Sequence, residues 1–589
     1  MLLRTFIQSA TLASGLLLLT NAAGVVAQND TNKDIFYKVI SNCKNQSMVV
    51  KVDGQQMYPM IQSPQSPILY IGFAPAAQHY YQYGMINDNN DTMAAMEAFQ
   101  RRPVSSNETE NEFFNRTWNR WDVHQLPQVL PPLPAINRIH SSLHEDGRIP
   151  TMHFIANQSE VDEMHRNSTA DITVLTNMTY ISHNDTQTFK DVEVSLAGRS
   201  SRWMPKLSYN LKLEKKEKHQ ALYDYTRVKL RALATDPSYI REEIAYKIID
   251  AVGLASTKSS FVRVFINDQA VGLFGIIENY KDPWLRNEFG GGDKDYEQGV
   301  LYQGKMATAE SGLANHTSDL SFYNNNKTAY SEGQYEIKED PTDDDDDDFG
   351  SLKDFTKFIA EAPTSGDKAV EKWQKELDTD SFLRSMALEV LVGYSDGYLS
   401  LADNYYLYQD VNHGKRMIYI PSDLDMTFGS GILNMTRMLD GNPQVYPGLE
   451  LRPLMNQILR VPEFQTEFQD LIKNLTQHLV NPKVMNQTID DTVAMLQEDV
   501  AWDQQLPRLN GMNISALQNQ ELEGSSLGIN LPETIDNATV MDFMSRVGSN
   551  NITYMQAVNG PTGHSSLAGV KEWIAKKSAN TARHFNITL

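Results

Sequence analysis

From Ile149 to Tyr280 apolar and polar residues alternate in short runs: IPTMHFI, DITVL, FKDVEVSLAG, KLSYNLKL, TRVKLRAL, FVRVFIN and AVGLFGIIENY. Period two with β-branched and aromatic residues predicts strands, each with one buried face. The series is broken once, at DPSYIREEIAYKIIDAVG, where Ile240, Ile244, Ile248 and Ala251 recur at helical spacing. Asp236 is placed to cap this helix, Pro237 to start it and Gly253 to stop it. Upstream, FYKVI, SMVVKVDGQQMYPM, ILYIGF and HYYQYGM alternate in the same way and predict a small antiparallel β-sandwich. The proline cluster LPQVLPPLPAI, Leu126–Ile136, reads as an extended linker. From Leu352 onward the period changes to 3.6, in FTKFIAEA, DSFLRSMALEVLV, LRPLMNQILRVPEFQTEFQDLIKNL and VMNQTIDDTVAMLQEDVAWD. Strands followed by helices predict an α+β chain. The expected division is 28–122 for the sandwich and a polar extension, 123–148 for the linker, 149–285 for a strand-rich part, 286–523 for a helical part with an acidic insertion at 307–351, and 524–589 for a polar tail with a short helix near Val570–Ala579.

One stretch of the helical part is not helical. LVGYSDGYLSLADNYYLYQDVNHGKRMIYIPSDLDMTFG, Leu391–Gly429, reads as a loop with Asp396, a strand Tyr405–Tyr408, a turn at Asn412-His413-Gly414 and a return strand Met417–Ile420. A turn centred on His413/Gly414 pairs Asn404 with Asp423, and opposed residues have Cβ atoms about 4.5–5.5 Å apart. Oxygens at that distance are able to share one Mg²⁺. Asp425 lies two residues beyond Asp423, on the same face of an extended chain. A hairpin with solvated acids at its ends fits the same residues. In the strand-rich part Lys229 and Arg231 share one face of their strand. The turn Gly198-Arg199-Ser200-Ser201 fits either an ordinary tight turn or a cover for phosphates, with Arg199, Arg202 and Lys206 nearby.

Charge and targeting signals narrow the setting. The net charge of −22 and the lack of any basic run argue against nucleic acid as a partner. Met1–Ala27, with Arg4, an apolar run at Leu16–Leu19 and a small residue at its end, has the form of a secretory signal peptide. Eighteen Asn-x-Ser/Thr acceptors accompany it, where about three or four are expected by chance at ordinary composition, and each one used is an exposed loop. Cys43 is the sole cysteine, which rules out an intramolecular disulfide. No later stretch is apolar enough to span a membrane, and TARHFNITL lacks the tail of a GPI signal. The six aspartates Asp343–Asp348 read as a solvated loop. Together these features predict a secreted protein, extracellular or in the cell wall.

The blocks GRSSRWMPKLSYNLKL, VKLRALATDPSYIREEIA, VRVFIND…GLFGIIENY, GVLYQGK, SDGYLSLADNYYLY and IPSDLDMTFG, in that order, resemble the spore-coat CotH kinase family over about Ile149 to Asp503. The order Asp, Asn, hairpin, Asp, Phe-Gly is also similar to that of protein kinases, although Asp396 and Asn404 are eight residues apart where kinases have about five. The resemblance implies an atypical kinase-like fold of two lobes, ATP with Mg²⁺ or Mn²⁺ as cofactors, and transfer of phosphate to serine or threonine of secreted, coat or wall proteins. It places the catalytic base on Asp396 and the metal on Asn404, Asp423 and Asp425. It assigns the nucleotide to Lys206, Lys229, Arg231, Arg241, Glu242 and Glu278. Fungal members include invasins that engage host receptors, so a non-catalytic surface-binding protein is the alternative. This chain has Ser395 and Ser422 where the family carries tryptophan, and Asp403 where it carries asparagine.

Overall fold

A computed structural model describes residues 33–198, 200–213, 220–307, 311, 316–342, 349–509, 535, 537–547 and 551–589. The leader, the six aspartates, Arg199, and the acceptors Asn29, Asn315 and Asn513 lie outside the described residues. The chain divides into two compact units. The first draws on the chain up to Val39, on Asn45–Gln62 and on Leu69–Glu110. Its antiparallel sheet runs in the order Met57–Pro59, Gln46–Val52, Tyr81–Asn87, Met93–Met96. The alternation seen in the sequence buries Met48, Val50, Tyr81 and Tyr83, with Tyr37 edge-on to Tyr81 at 5.1 Å.

The second unit, containing 111–589, is built around a closed barrel. Its strands are β1 (Thr151–Ile155), β2 (Thr173–Ile181), β3 (Thr186–Leu196), β4 (Tyr209–Lys212), β5 (Arg227–Arg231), β6 (Ser259–Ile266) and β7 (Gln269–Glu278). They are ordered β2-β3-β4-β5-β7-β6-β1, and the parallel pair β6–β1 closes the ring. Val192, Leu211, Val228, Leu230, Val262, Val264 and Leu273 are buried residues of this barrel. Helix α1 (Arg241–Ala251) falls between β5 and β6. It starts at Arg241, four residues later than the sequence predicts. Tyr239 takes a positive φ of 59°, and Asp236 accepts from the Ser238 and Arg241 N–H groups at 2.9 Å each. Asp236 therefore closes the turn before the helix and also accepts from the first helical N–H, although the N-cap residue itself is Ile240.

The proline cluster is extended, as expected, but it is packed rather than a free linker. Val129 N–H donates to Ala251 O at 2.7 Å, Leu133 N–H donates to Gly253 O at 2.9 Å, and Leu133 and Ala135 are buried. A segment with few N–H groups loses little by lying here, and those it has serve carbonyls that the end of α1 leaves without helical partners. Gly253, at φ 66°, is required at the crossing, since a Cβ there would lie 2.3 Å from Pro131 O.

Past the barrel, β8 (Leu301–Gly304), β9 (Tyr335–Glu339), β10 (Tyr405–Asp410) and β11 (Arg416–Pro421) form a second sheet ordered β9-β8-β10-β11. Helix α2 (Thr379–Val392), capped by Asp378 on Ser381 N–H and ended at Gly393, leads into the loop before β10. Helix α3 (Pro482–Gln505) follows later. The tail holds the helix expected near Val570–Ala579, as a longer α5 (Val570–Phe585), and adds α4 (Asn537–Val547), which the sequence did not predict; Trp573 on α5 is wholly buried. No helix among the described residues is long and apolar enough to cross a membrane.

Candidate active site

Five segments converge on one charged cluster. Strand β5 supplies Lys229 and Arg231, and the first turn of α1 supplies Glu242. The loop after α2 supplies Asp396, the residue before β10 is Asn404, and the turn after β11 carries Asp423 and Asp425. Arg231 is the hub. Its Nε donates to Glu242 Oε2 at 2.9 Å, while one Nη pairs with Asp423 and lies 3.4 Å from Asp425 Oδ1. Lys229 Nζ stands 3.6 Å from Asp423 Oδ2, near enough for charge pairing but too far for a short hydrogen bond. Thr235 Oγ1 donates to Asp425 Oδ2 at 2.8 Å. Asn404 Nδ2 donates to Asp396 Oδ2 at 2.9 Å, and Asp396 Oδ1 is buried without a partner.

The backbone supports this grouping by an unexpected route. Hairpin register pairs Tyr405 with Pro421, and Ser422 N–H donates to Asn404 O at 3.0 Å. Asn404 therefore faces Ser422, one residue short of the expected Asp423. The cause is the turn: Val411–His413 form a 3₁₀ segment held by Asp410, which shifts the centre by half a residue. Asp423 and Asp425 share Arg231 even though the chain between them is a turn rather than a strand. Asn404, Asp423 and Phe428 hold positive φ angles of 56°, 59° and 51°. Such conformations are costly for residues with a Cβ and concentrate at functional sites.

The acids differ in their proton affinity. Burial raises Asp396 well above the usual carboxylate range, and Asp425, Asp403 and Asp423 push it in the same direction. Burial also acts on Asp423, but Arg231 and Lys229 outweigh it and hold the group well below that range. Asp425 is raised by burial and by Asp423, against the pull of Arg231. Lys229 is lowered by burial and by Arg231 beside it. The cluster thus holds repelling carboxylates and two unpartnered buried oxygens, Asp396 Oδ1 and Glu242 Oε1. Among the described residues no group of three or more His, Cys, Asp or Glu side chains is placed to hold a metal ion by itself. An all-oxygen, incomplete ligand set of this kind suits Mg²⁺, which takes one or two carboxylates and completes its shell with phosphate and water.

Three residues assigned to the nucleotide lie elsewhere. Lys206 is buried against α3, donating to Asp503 Oδ1 at 2.7 Å and lying 4.4 Å from the Phe274 ring centre. Arg241, fully buried, pairs with Asp236 and donates to Thr427 O at 3.2 Å and to Ala568 O. Glu278, also buried, pairs with Arg138 and accepts from Lys258 N–H. The partners that claim Lys206 and Glu278 come from distant parts of the chain, which no local pattern reports, while Arg241 is taken by nearby Asp236 together with the distant Thr427 and Ala568 carbonyls.

Two residues without any sequence signal hold the Asp396 loop. Glu389 Oε1 on α2 accepts from Leu399 N–H at 2.8 Å and, more weakly, from Ser400 N–H at 3.4 Å. Arg452 donates to the carbonyls of Tyr398, Leu399 and Ser400 at 2.8–2.9 Å. Burial pushes Glu389 up to about 8 despite the N–H groups of Leu399 and Ser400 and the charge of Arg452. The folded chain therefore keeps a proton that the unfolded chain loses from about pH 4.3 upward. Stability from this group is full below that value and is lost as pH rises to about 8, by about 1.4 kcal/mol per pH unit at most. Glu389→Gln keeps the acceptor and is expected to flatten this slope, as read from denaturation midpoints between pH 5 and 8.

With the geometry established, comparison with known proteins is informative. The family model described as CotH kinase protein matches residues 194–521, more than half of the chain. The chain belongs to the CotH family. It is 25% identical over 489 residues to Spore coat protein homolog 1 of Rhizopus delemar, covering 82% of this chain and 74% of that protein. It is 24% identical over 508 residues to Invasin CotH2 of the same organism, covering 84% and 77%. Inner spore coat protein H of Bacillus subtilis is 25% identical over 301 residues, half of this chain and 75% of that protein.

Proposed function

We propose that this chain is an atypical protein kinase of the cell surface or secretory pathway, moving the γ-phosphoryl group of ATP to serine or threonine of secreted, coat or wall proteins. The observation that carries this reading is the pairing of Asp423 and Asp425 with Lys229 and Arg231, beside an Asn404–Asp396 pair whose Asp396 Oδ1 is buried and unpartnered. The strand order supports it: the basic strand β5 precedes a helix whose Glu242 binds it, and β7 lies beside β5, an arrangement similar to the lysine strand and helix of kinases. In this chain the arginine, not the lysine, takes the glutamate, which leaves Lys229 for phosphate.

Asp423 and Asp425, with Asn404 alongside, would hold Mg²⁺, and the bound ion supplies positive charge that offsets the triphosphate and the neighbouring acids. Lys229 and Arg231 bind the phosphate oxygens by charge-assisted hydrogen bonds. Asn404 fixes the rotamer of Asp396 through Oδ2, leaving Oδ1 to accept the proton of the substrate hydroxyl. Tyr394 O–H donates to Ser422 O and to Asp423 O at 3.0 Å and keeps the acid turn in register with the Asp396 loop. The test is transfer of label from γ-labelled ATP to a serine-rich secreted protein, with and without EDTA. The names of the Rhizopus relatives favour a second reading, a surface-binding protein on this scaffold. It predicts binding to host or cell-surface proteins that survives loss of Asp396.

Secretion and glycosylation belong to the same proposal. Of the fifteen acceptors among the described residues, thirteen are exposed, and Asn474 and Asn486 are half-buried in helices. The protein collected from medium is expected to lack Met1–Ala27 and to lose mass on N-glycosidase treatment. An intact Met1, or unchanged mass, is the contrary result.

A further inference from the structure

The described residues beyond 521, outside the family match, pack on the turn that carries the two acids. Arg546 on α4 is buried and donates to Thr235 O at 3.0 Å, Ser430 Oγ at 3.0 Å and Ser566 Oγ at 2.9 Å. Thr235 is the residue whose hydroxyl donates to Asp425. Asp542, one turn earlier on α4, accepts from Ser566 N–H at 2.8 Å and from its hydroxyl at 2.7 Å. Ser566 O in turn accepts from Gly431 N–H at 3.1 Å, and Ala568 N–H donates to Gly429 O at 2.8 Å.

Two further contacts tie the same segment to the site. The Trp573 indole donates to Leu391 O at 3.1 Å. It lies against Gly393, which ends α2 before Asp396, and Gly429, which follows Phe428; a Cβ at these glycines would be 2.1 and 2.6 Å from the ring. One side chain thus backs both acid-bearing loops. Phe543 and Met544 of α4 form a small core with Met204, against which the half-buried Trp203, Met426 and Ile432 pack. Met426 directly follows Asp425, and Trp203 belongs to the short turn after Gly198.

We infer that residues 537–547 and 551–585 form a brace in cis that sets the position of Asp425, with Arg546 as the positioning residue. The turn from Asp423 to Gly431 contains two positive-φ residues with a Cβ, Asp423 and Phe428, whose own backbone preferences oppose this conformation. Arg546 opposes that tendency by fixing Thr235 on one side of Asp425 and Ser430 on the other. Burial lowers Arg546 to about 9, with Arg241 acting in the same direction, so placing it here has a cost that the hydrogen bonds must offset. The functional part of this inference rests on the kinase reading; the structural part does not.

The test compares full-length wild type, Arg546→Ala, Arg546→Lys and the milder Ser430→Ala. Amide hydrogen exchange is followed by mass spectrometry in the free protein, and the Mg²⁺ half-saturation of ATP binding is followed by calorimetry. Arg546→Ala is expected to speed exchange at Phe428–Gly431 by about tenfold or more, leave β5 and β7 unchanged, and raise the Mg²⁺ half-saturation about tenfold, by analogy with loss of an outer-shell metal partner. Ser430→Ala should show the same pattern more weakly, and Arg546→Lys should recover part of the loss. Wild-type exchange and half-saturation in Arg546→Ala overturn the brace, as does a uniform rise in exchange across the barrel in both Arg546→Ala and Ser430→Ala. If wild type binds no ATP with metal, the kinase reading fails, and the exchange pattern alone decides the brace.

Discussion

Asp423→Ala is expected to abolish Mg²⁺-dependent ATP binding, by a factor on the order of 100 or more. Loss of an outer-shell partner already weakens metal affinity by about 10- to 100-fold, and Asp423 is placed as a direct ligand. It is the acid most firmly ionised, because Arg231 and Lys229 hold its proton affinity down. Its removal also leaves Arg231 with Glu242 and the more distant Asp425. The side chain of Asp423 is one-third exposed, so the cost to folding is expected to be small beside the loss of binding. Calorimetry with ATP and Mg²⁺ reads the first effect, and the melting temperature without ligand reads the second. Asp425→Ala is expected to weaken binding less, because Asp425 holds a proton more readily and is partly engaged by Thr235.

Asp396→Ala is expected to leave ATP binding within a few-fold of wild type and to lower phosphate transfer by about 10²- to 10⁴-fold, the range for loss of a general base. Asp396 contacts Asn404 and none of the basic side chains, so it adds little to holding the nucleotide. A fall in kcat with an unchanged dissociation constant would mark an interaction made only in the transition state. Loss of binding and turnover together would instead make Asp396 a ligand. Its raised proton affinity in the free protein also predicts that turnover falls as pH drops, with the fall moving to lower pH as Mg²⁺ is raised.

Much of this site was legible before the structure. Period two located β5 and the hairpin, and placed Lys229 with Arg231 on one face. Motif order singled out the Asp396 loop, Asn404, Asp423 and Asp425, all of which lie together in the fold. The hairpin register was legible only to within one residue, because a 3₁₀ segment in the turn is not encoded in the alternation of its strands. Lys206, Arg241 and Glu278 were misread for a different reason. A basic or acidic residue on the right element has the right type, but its side chain goes to the nearest partner, and Asp503, Ala568 and Arg138 come from far along the chain. The C-terminal region was the least legible. Its polar composition reads as a tail, whereas Trp573, Ile574 and Val570 are wholly buried.

The pairing of Arg231 with Glu242 bears on how the site responds to ligand. Glu242 is raised by burial against the pull of Arg231, and its Oε1 has no hydrogen-bond partner. On the proposed kinase reading, incoming phosphate would compete with Asp423 for Arg231, whose Nε is anchored by Glu242. Tyr246, one turn along α1, meets Asp423 N–H through its hydroxyl at 3.3 Å. Helix α1 therefore touches both Arg231, the proposed phosphate-binding cation, and the backbone of Asp423, the proposed metal ligand.

The most direct test of the nucleotide–metal centre is the thermal unfolding of wild type and Asp423→Ala with ATP plus Mg²⁺, with ATP plus EDTA, and with neither. A ligand that binds only the folded state adds about 2.7 kcal/mol at a hundred times its dissociation constant. The prediction is a rise in melting temperature for wild type with ATP plus Mg²⁺, none with EDTA, and none for Asp423→Ala under any condition. A wild-type chain that melts at the same temperature in all three conditions, or an Asp423→Ala chain stabilised as strongly as wild type, would contradict it.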